Sequence, residues 1–387
     1  MRRKFPARPG YTLMTGSATV PITQKGSAMK THTTNRIVCA CLAAVLTIIL
    51  FACGGHHHHK PPMLSTYVAT SLVSDTAALP AAHTDPNLVN AWGVAFNPRG
   101  FVWVVANGTA KSTLYDGNGV PQSLVVSTPP GPTGIVFNGT QDFKLSQNGV
   151  TAPSPFIFAS ESGTISAWSP TVSPTTAVVV FDGSAGGSVY KGLAISRYAN
   201  ANYLYAADFH NGRVDVFDAN FAKVALPGAF SDSGLPAGYA PFGIQASGER
   251  IFVAYAKREP SGDDEEAGAG LGIINVYDTS GNLLKRLVSG GALNAPWGMA
   301  LAPADFGSAS NMLLVGNFGD GKINAYDPST GAAGGPLRKA DGTPLVIDGL
   351  WGIAFGNGLN SQPINTLFYA AGPDDEAHGQ YGRIDLQ

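Results

Sequence analysis

A-W-G-V-A-F at 91–96, P-T-G-I-V-F at 132–137, Y-K-G-L-A-I at 190–195, P-F-G-I-Q-A at 241–246, P-W-G-M-A-L at 296–301 and L-W-G-I-A-F at 350–355 are one motif written six times. Their glycines, Gly93, Gly134, Gly192, Gly243, Gly298 and Gly352, stand 41, 58, 51, 55 and 54 residues apart. A period of this length marks a chain built from repeated supersecondary units. Each motif is followed by a second β-rich run, such as V-W-V-V-A-N, Y-L-Y-A-A-D or M-L-L-V-G-N. A third run follows, such as V-D-V-F-D, I-N-V-Y-D or I-N-A-Y-D. Aromatic and β-branched residues at this density suit a pleated, half-buried backbone.

A fourth run closes the early units, S-L-V-V-S after Gln122 and L-L-K-R-L-V-S after Asn282. Four strands in each of six units predict an all-β, six-bladed β-propeller over residues 65–387. The last unit stops after its third strand. The stretch T-Y-V-A-T-S-L-V-S at 66–74 precedes the first unit and reads as the missing fourth strand. Pairing the two ends of the domain would close the ring and leave no open blade edge.

Composition agrees. Charged residues are 13% of 387, against 48 Gly and 27 Pro, which fits short strands joined by many turns. Residues 1–52 hold seven Lys or Arg and no acid, leaving 17 basic residues against 26 acidic ones in the rest. A body with a balance of −9 and no basic stripe argues against a nucleic-acid partner. All three cysteines (Cys39, Cys41, Cys53) lie in the first 53 residues, so the propeller has no disulfide, thiolate nucleophile or cysteine metal site. No G-x-S-x-G, H-E-x-x-H or Gly-rich phosphate loop is present. A serine hydrolase, a zinc protease and a nucleotide enzyme are therefore not expected.

The apolar run at 37–52 follows Lys30 and Arg36. It is shorter than the roughly 20 residues that span a bilayer, and reads as a signal peptide over 29–52 starting at Met29, with 1–28 a mis-assigned extension. Leu50-Phe51-Ala52-Cys53-Gly54 resembles a bacterial lipobox, although Phe51 departs from the usual small residue. The resemblance implies lipidation of Cys53, a tether over 53–64 and an exported protein anchored at the cell envelope, in the periplasm or outer membrane of a Gram-negative cell; a monomer is expected. His56 to His59 read as part of a solvated spacer, since adjacent imidazoles on a flexible chain preset no metal geometry.

The repeats resemble NHL-type six-bladed propellers. They are still more similar to an uncharacterised family of exported bacterial propeller proteins, some with PEP-CTERM sorting tails. D-P-N-L-V-N-A-W-G at 85–93, D-G-L-W-G-I-A-F-G-N at 348–357 and G-P-D-D-E-A-H-G at 372–379 carry this likeness. It covers about residues 65–387 and implies the fold rather than an activity.

Strands alternate in direction, so the loop entering strand one and the loop after strand two open on one end of the channel. The residue before each glycine is Trp92, Thr133, Lys191, Phe242, Trp297 and Trp351 in turn. Four aromatics suggest either a collar that stacks on a ligand or wedges packed between blades. The same end should receive Asn90, Asn107, Asp208, His210, Asn317, Asp374, Glu376 and His378. With Trp92, Trp297 and Trp351 these form the expected ligand-binding face. The aspartates Asp116, Asp218, Asp278 and Asp327, each ahead of turn-forming residues, read as turn initiators for the opposite end. The acidic run Asp263 to Glu266 reads as a solvated loop. The expected function is a non-catalytic binding or scaffold propeller that needs no cofactor. The alternative is a calcium-dependent hydrolase of the lactonase type, with Ca²⁺ held at the channel mouth by converging carboxylates and amide oxygens.

Overall fold

The computed structural model describes residues 64–260 and 262–387. Residues 1–28, the signal peptide, Cys53, the His56–His59 run and all but the last residue of the tether lie outside these.

Six sheets follow one another around a central channel; in the first five the strands run in sequence order from the centre outward, and in the sixth the outer strands are Tyr67–Ser74 and His83–Thr84 from the start of the domain. The innermost strands are Ala91–Phe96, Pro132–Phe137, Tyr190–Tyr198, Tyr239–Ser247, Pro296–Leu301 and Leu350–Phe355. The second strands read as unbroken apolar runs because both faces are covered by neighbouring blades; every residue of Val102–Ala106, Phe156–Ser160 and Leu367–Ala371 is buried. A hairpin, Lys144–Gln147 with Val150–Pro153, is inserted in blade two.

The ring closes as the repeat count requires. Tyr67–Ser74 pairs antiparallel with Gln380–Leu386 as the fourth strand of blade six, with one bulge between Ser71 and Val73. Tyr67 also ties the closing strand to blade five, its hydroxyl donating to the Phe306 carbonyl at 2.9 Å. The seam between blades six and one is locked by side chains: Val102 N–H donates to Gln362 Oε1 at 2.8 Å, and Asn357 Nδ2 donates to the Asn97 and Gly100 carbonyls.

The six motif glycines have a shared steric reason. A Cβ on Gly93, Gly134, Gly192, Gly243, Gly298 or Gly352 would lie under 3.0 Å from the backbone of the next blade's inner strand. The contact runs from each glycine to the next blade, and from Gly352 back to Trp92 of blade one. Only glycine permits so close a backbone approach.

Candidate functional site

Register decides which end each loop occupies. The start of each inner strand pairs with the end of the second strand, as in Ala91↔Ala106, Tyr190↔Asp208, Pro296↔Asn317 and Leu350↔Ala371. All eleven residues of the expected ligand-binding face therefore stand at one end of the ring. Asp116, Asp218, Asp278 and Asp327 follow third strands that end beside the start of the second, as in Val102↔Tyr115 and Leu204↔Phe217. They stand at the other end and cap turns: each accepts two backbone N–H bonds within four residues, for example from Asn220 and Ala222 to Asp218. Hydrogen bonds from Ser329 and Thr330 hold Asp327 well below the usual carboxylate range.

The tryptophans converge on one another. Trp92 stacks on Trp351 with ring centroids 3.7 Å apart, and Trp297 meets both edge-on at 5.9 and 5.7 Å. Phe318 stacks on the far face of Trp351 at 4.0 Å, and Phe242 reaches it at 5.7 Å. The three indoles and Phe242 are buried, and Phe318 is half-buried. Blades one, four, five and six thus meet across the axis as a plug rather than an open collar. Each indole N–H has a partner: Asn90 Oδ1 for Trp92, the Lys191 carbonyl for Trp297 and Glu376 Oε1 for Trp351. Asn90 performs this from a positive φ of 50°, a conformation that asparagine tolerates better than most residues.

Lys191 occupies the centre. It is the pre-glycine residue of blade three, only 2% exposed, with its ammonium 5.2 Å from the Trp92 ring centroid. On its other side stand Glu161 at 2.6 Å and Asp264 at 3.4 Å. Asn107 Nδ2 donates to the second oxygen of Glu161 at 2.8 Å. Burial opposes the lysine's charge, but Glu161, Glu265 and Asp264 outweigh it and hold Lys191 above the usual lysine range. Desolvation pushes Glu265 up to about 7 despite Lys191, with Glu376 and Asp264 adding repulsion. Desolvation and then Glu161 also raise Glu376. Four carboxylates therefore share one ammonium over an indole floor.

The remaining face residues stand apart from this centre. Asp208 is fully buried and knits its own loop, accepting from Ser188, Val189 and Asn211. Asn317 does the same for blade five, bonding Ala292, Asn294 and Asp320. His210 Nδ1 lies 2.6 Å from Asp263, and both are exposed. Asp374 is exposed at the rim. His378 Nδ1 lies 3.0 Å from Asp75, just past the closing strand.

The sequence placed Lys191 among the pre-glycine residues of this end but not in the expected ligand-binding face. Lys191 is the one cation among the six pre-glycine residues, and that anomaly was the available signal. The acidic run, expected as a solvated loop, folds over the mouth: Asp263 meets His210, Asp264 meets Lys191 and Glu266 meets Lys257 at 2.7 Å. No three His, Cys, Asp or Glu side chains gather to hold a metal ion among the described residues.

No family model matches the sequence. Among solved structures, the chain is similar to virginiamycin B lyase from Staphylococcus aureus, with 15% identity, 78% of this chain and 98% of that one covered, and a TM-score of 0.46. A glucose dehydrogenase shows 13% identity, 83% and 100% coverage, and a TM-score of 0.49. Likenesses this distant carry no argument about activity. Two proteins of Acanthamoeba polyphaga mimivirus are much nearer in sequence. Uncharacterized protein L690 is 34% identical over 336 residues, covering 83% of this chain and 86% of its own. Uncharacterized protein R648 is 34% identical over 317 residues, covering 79% and 76%. The bacterial, exported side of the sequence resemblance rests only on the segments that suggested it. With the six-bladed ring in place and more than two thirds of each viral protein matched, the chain belongs to the family of mimivirus proteins L690 and R648.

Proposed function

We propose that the chain is a binding propeller whose plugged mouth recognises a cationic group on a ligand or a partner protein. The excess of carboxylate around Lys191 carries this reading. Glu161, Asp264, Glu265 and Glu376 all act electrostatically on one ammonium, leaving the mouth negative. Lys191 itself shows the chemistry that the mouth favours, an ammonium between an indole face and carboxylates. The plug packs as a rigid floor, and the acidic loop of blade four supplies its rim.

Spermine is a suitable probe. Titration calorimetry should show saturable binding that strengthens several-fold as pH rises through the range where Glu265 ionises, at about 7. Glu376→Gln should weaken it. A wild-type protein that binds no spermine, or binds it equally at pH well below and well above that point, would overturn the proposal.

We also propose that lipid on Cys53 holds the propeller at the cell envelope, on the strength of the Leu50-Phe51-Ala52-Cys53 segment. Cys53→Ala should release the protein from the membrane fraction or leave it as unprocessed precursor. Unchanged attachment with normal processing would refute the anchor.

A further inference from the structure

The end of the channel opposite the tryptophans holds a cavity of about 450 Å³, bounded by the outer halves of all six inner strands. It narrows to a neck of about 50 Å³ lined by motif glycines and reaching Trp297. With the indoles packed beyond the neck, the cavity is blind. Its size falls within the range of small-molecule pockets, roughly 300–1,000 Å³.

Its chemistry is the reverse of the other mouth. None of its lining residues carries a charge. Phe96, Phe137, Leu301 and Phe355 are among its apolar walls, and Gln245 and Ser247, both of blade four, are its only polar side chains. Each inner strand is hydrogen-bonded to a neighbour on one side only. Its free edge therefore presents backbone N–H and C=O groups along the channel, as any sheet edge does. Such a wall offers neutral donors and acceptors between apolar surfaces, with nothing to neutralise an ion. A charged ligand would lose its hydration there without gaining a counter-charge.

We propose that this blind funnel is a second binding site, for a small uncharged molecule that combines apolar surface with hydrogen-bonding groups. The ligand enters from the end that carries the turn aspartates and stops short of Trp297. Gln245, exposed and projecting from blade four, gives the funnel one polar side and so a preferred orientation for the ligand. The site is independent of the cation-binding mouth, because the plug separates them.

N-phenyl-1-naphthylamine and 1-anilinonaphthalene-8-sulfonate share a skeleton and differ by one sulfonate, so the pair tests size and charge separately. The neutral probe should bind saturably at one site per chain, with energy transfer from tryptophan, and the sulfonate at least tenfold more weakly. Saturating spermine should leave the neutral probe bound. Gln245→Trp places bulk at the funnel from an exposed position and should weaken the neutral probe at least tenfold without lowering the melting temperature. Ala354→Leu narrows the funnel from blade six and serves as the second blocking variant. Absence of saturable binding to the wild type, equal binding of the two probes, or wild-type affinity in a folded blocking variant would each overturn the proposal.

Discussion

The two mouths of one channel are lined by the same six strands, yet they differ in almost every physical respect. At the end where the inner strands begin, large rings fill the axis, and one ammonium with four carboxylates lies over them. At the end where they finish, the axis is open, uncharged and edged by bare backbone. The difference arises on either side of a single glycine in each repeat. The residue before it is aromatic in four blades out of six, whereas the residue two after it is alanine in four: Ala95, Ala194, Ala300 and Ala354. One position closes the channel and the other keeps it open.

The glycine ring is where this contrast is most easily broken. Gly243→Val would drive a side chain into the backbone of Trp297. Blades four and five would have to separate, removing the geometry of both mouths together. A loss of more than about 4 kcal/mol is expected, read by denaturant unfolding. A variant with wild-type stability would show that the inner strands can part without cost.

Trp351→Ala sharpens the comparison instead. It removes the ring that touches Trp92, Trp297, Phe242 and Phe318. The cost should be about 3–5 kcal/mol, as for a buried aromatic. The cavity should become continuous through the ring, so the neutral naphthylamine should lose its one-site stoichiometry while the folded state persists. A melting temperature equal to wild type would mean that the rings do not form a packed plug.

The smallest effect concerns the closing strand of blade six. The bond to Asp75 raises the pKa of His378, which also lies beside Asp374. A group raised in the folded state stabilises it fully below its unfolded pKa, about 6.5. That contribution is lost as pH rises through the higher folded value. The melting-temperature difference between wild type and His378→Ala should therefore shrink as pH rises above about 6.5. A difference that stays constant, or grows with pH, would remove the protonated imidazole from the closure.

The repeat, the strand order and the closure by residues 66–74 were legible in the sequence because they are periodic. Strand alternation is also local, so it sorted the loops between the two ends of the ring before any packing was known. It could say that Asn90, Trp92, Glu376 and His378 share an end, but not which of them meet. Meeting depends on distances across the axis between residues far apart in the chain, such as Lys191 and Trp297, and no periodicity records those. The glycines announced the repeat, while their reason, the backbone of the neighbouring blade, appears only when the ring is closed. Burial set the rest. The same tryptophans that read as a collar or as wedges collapse onto one another because indole surface gains more from contact than from water. That collapse leaves Lys191 needing counter-charges, draws the acidic loop over it and pushes Glu265 toward neutrality. The sequence determined the ring and its two ends; tertiary packing alone decided which end is sealed and charged and which is open and neutral.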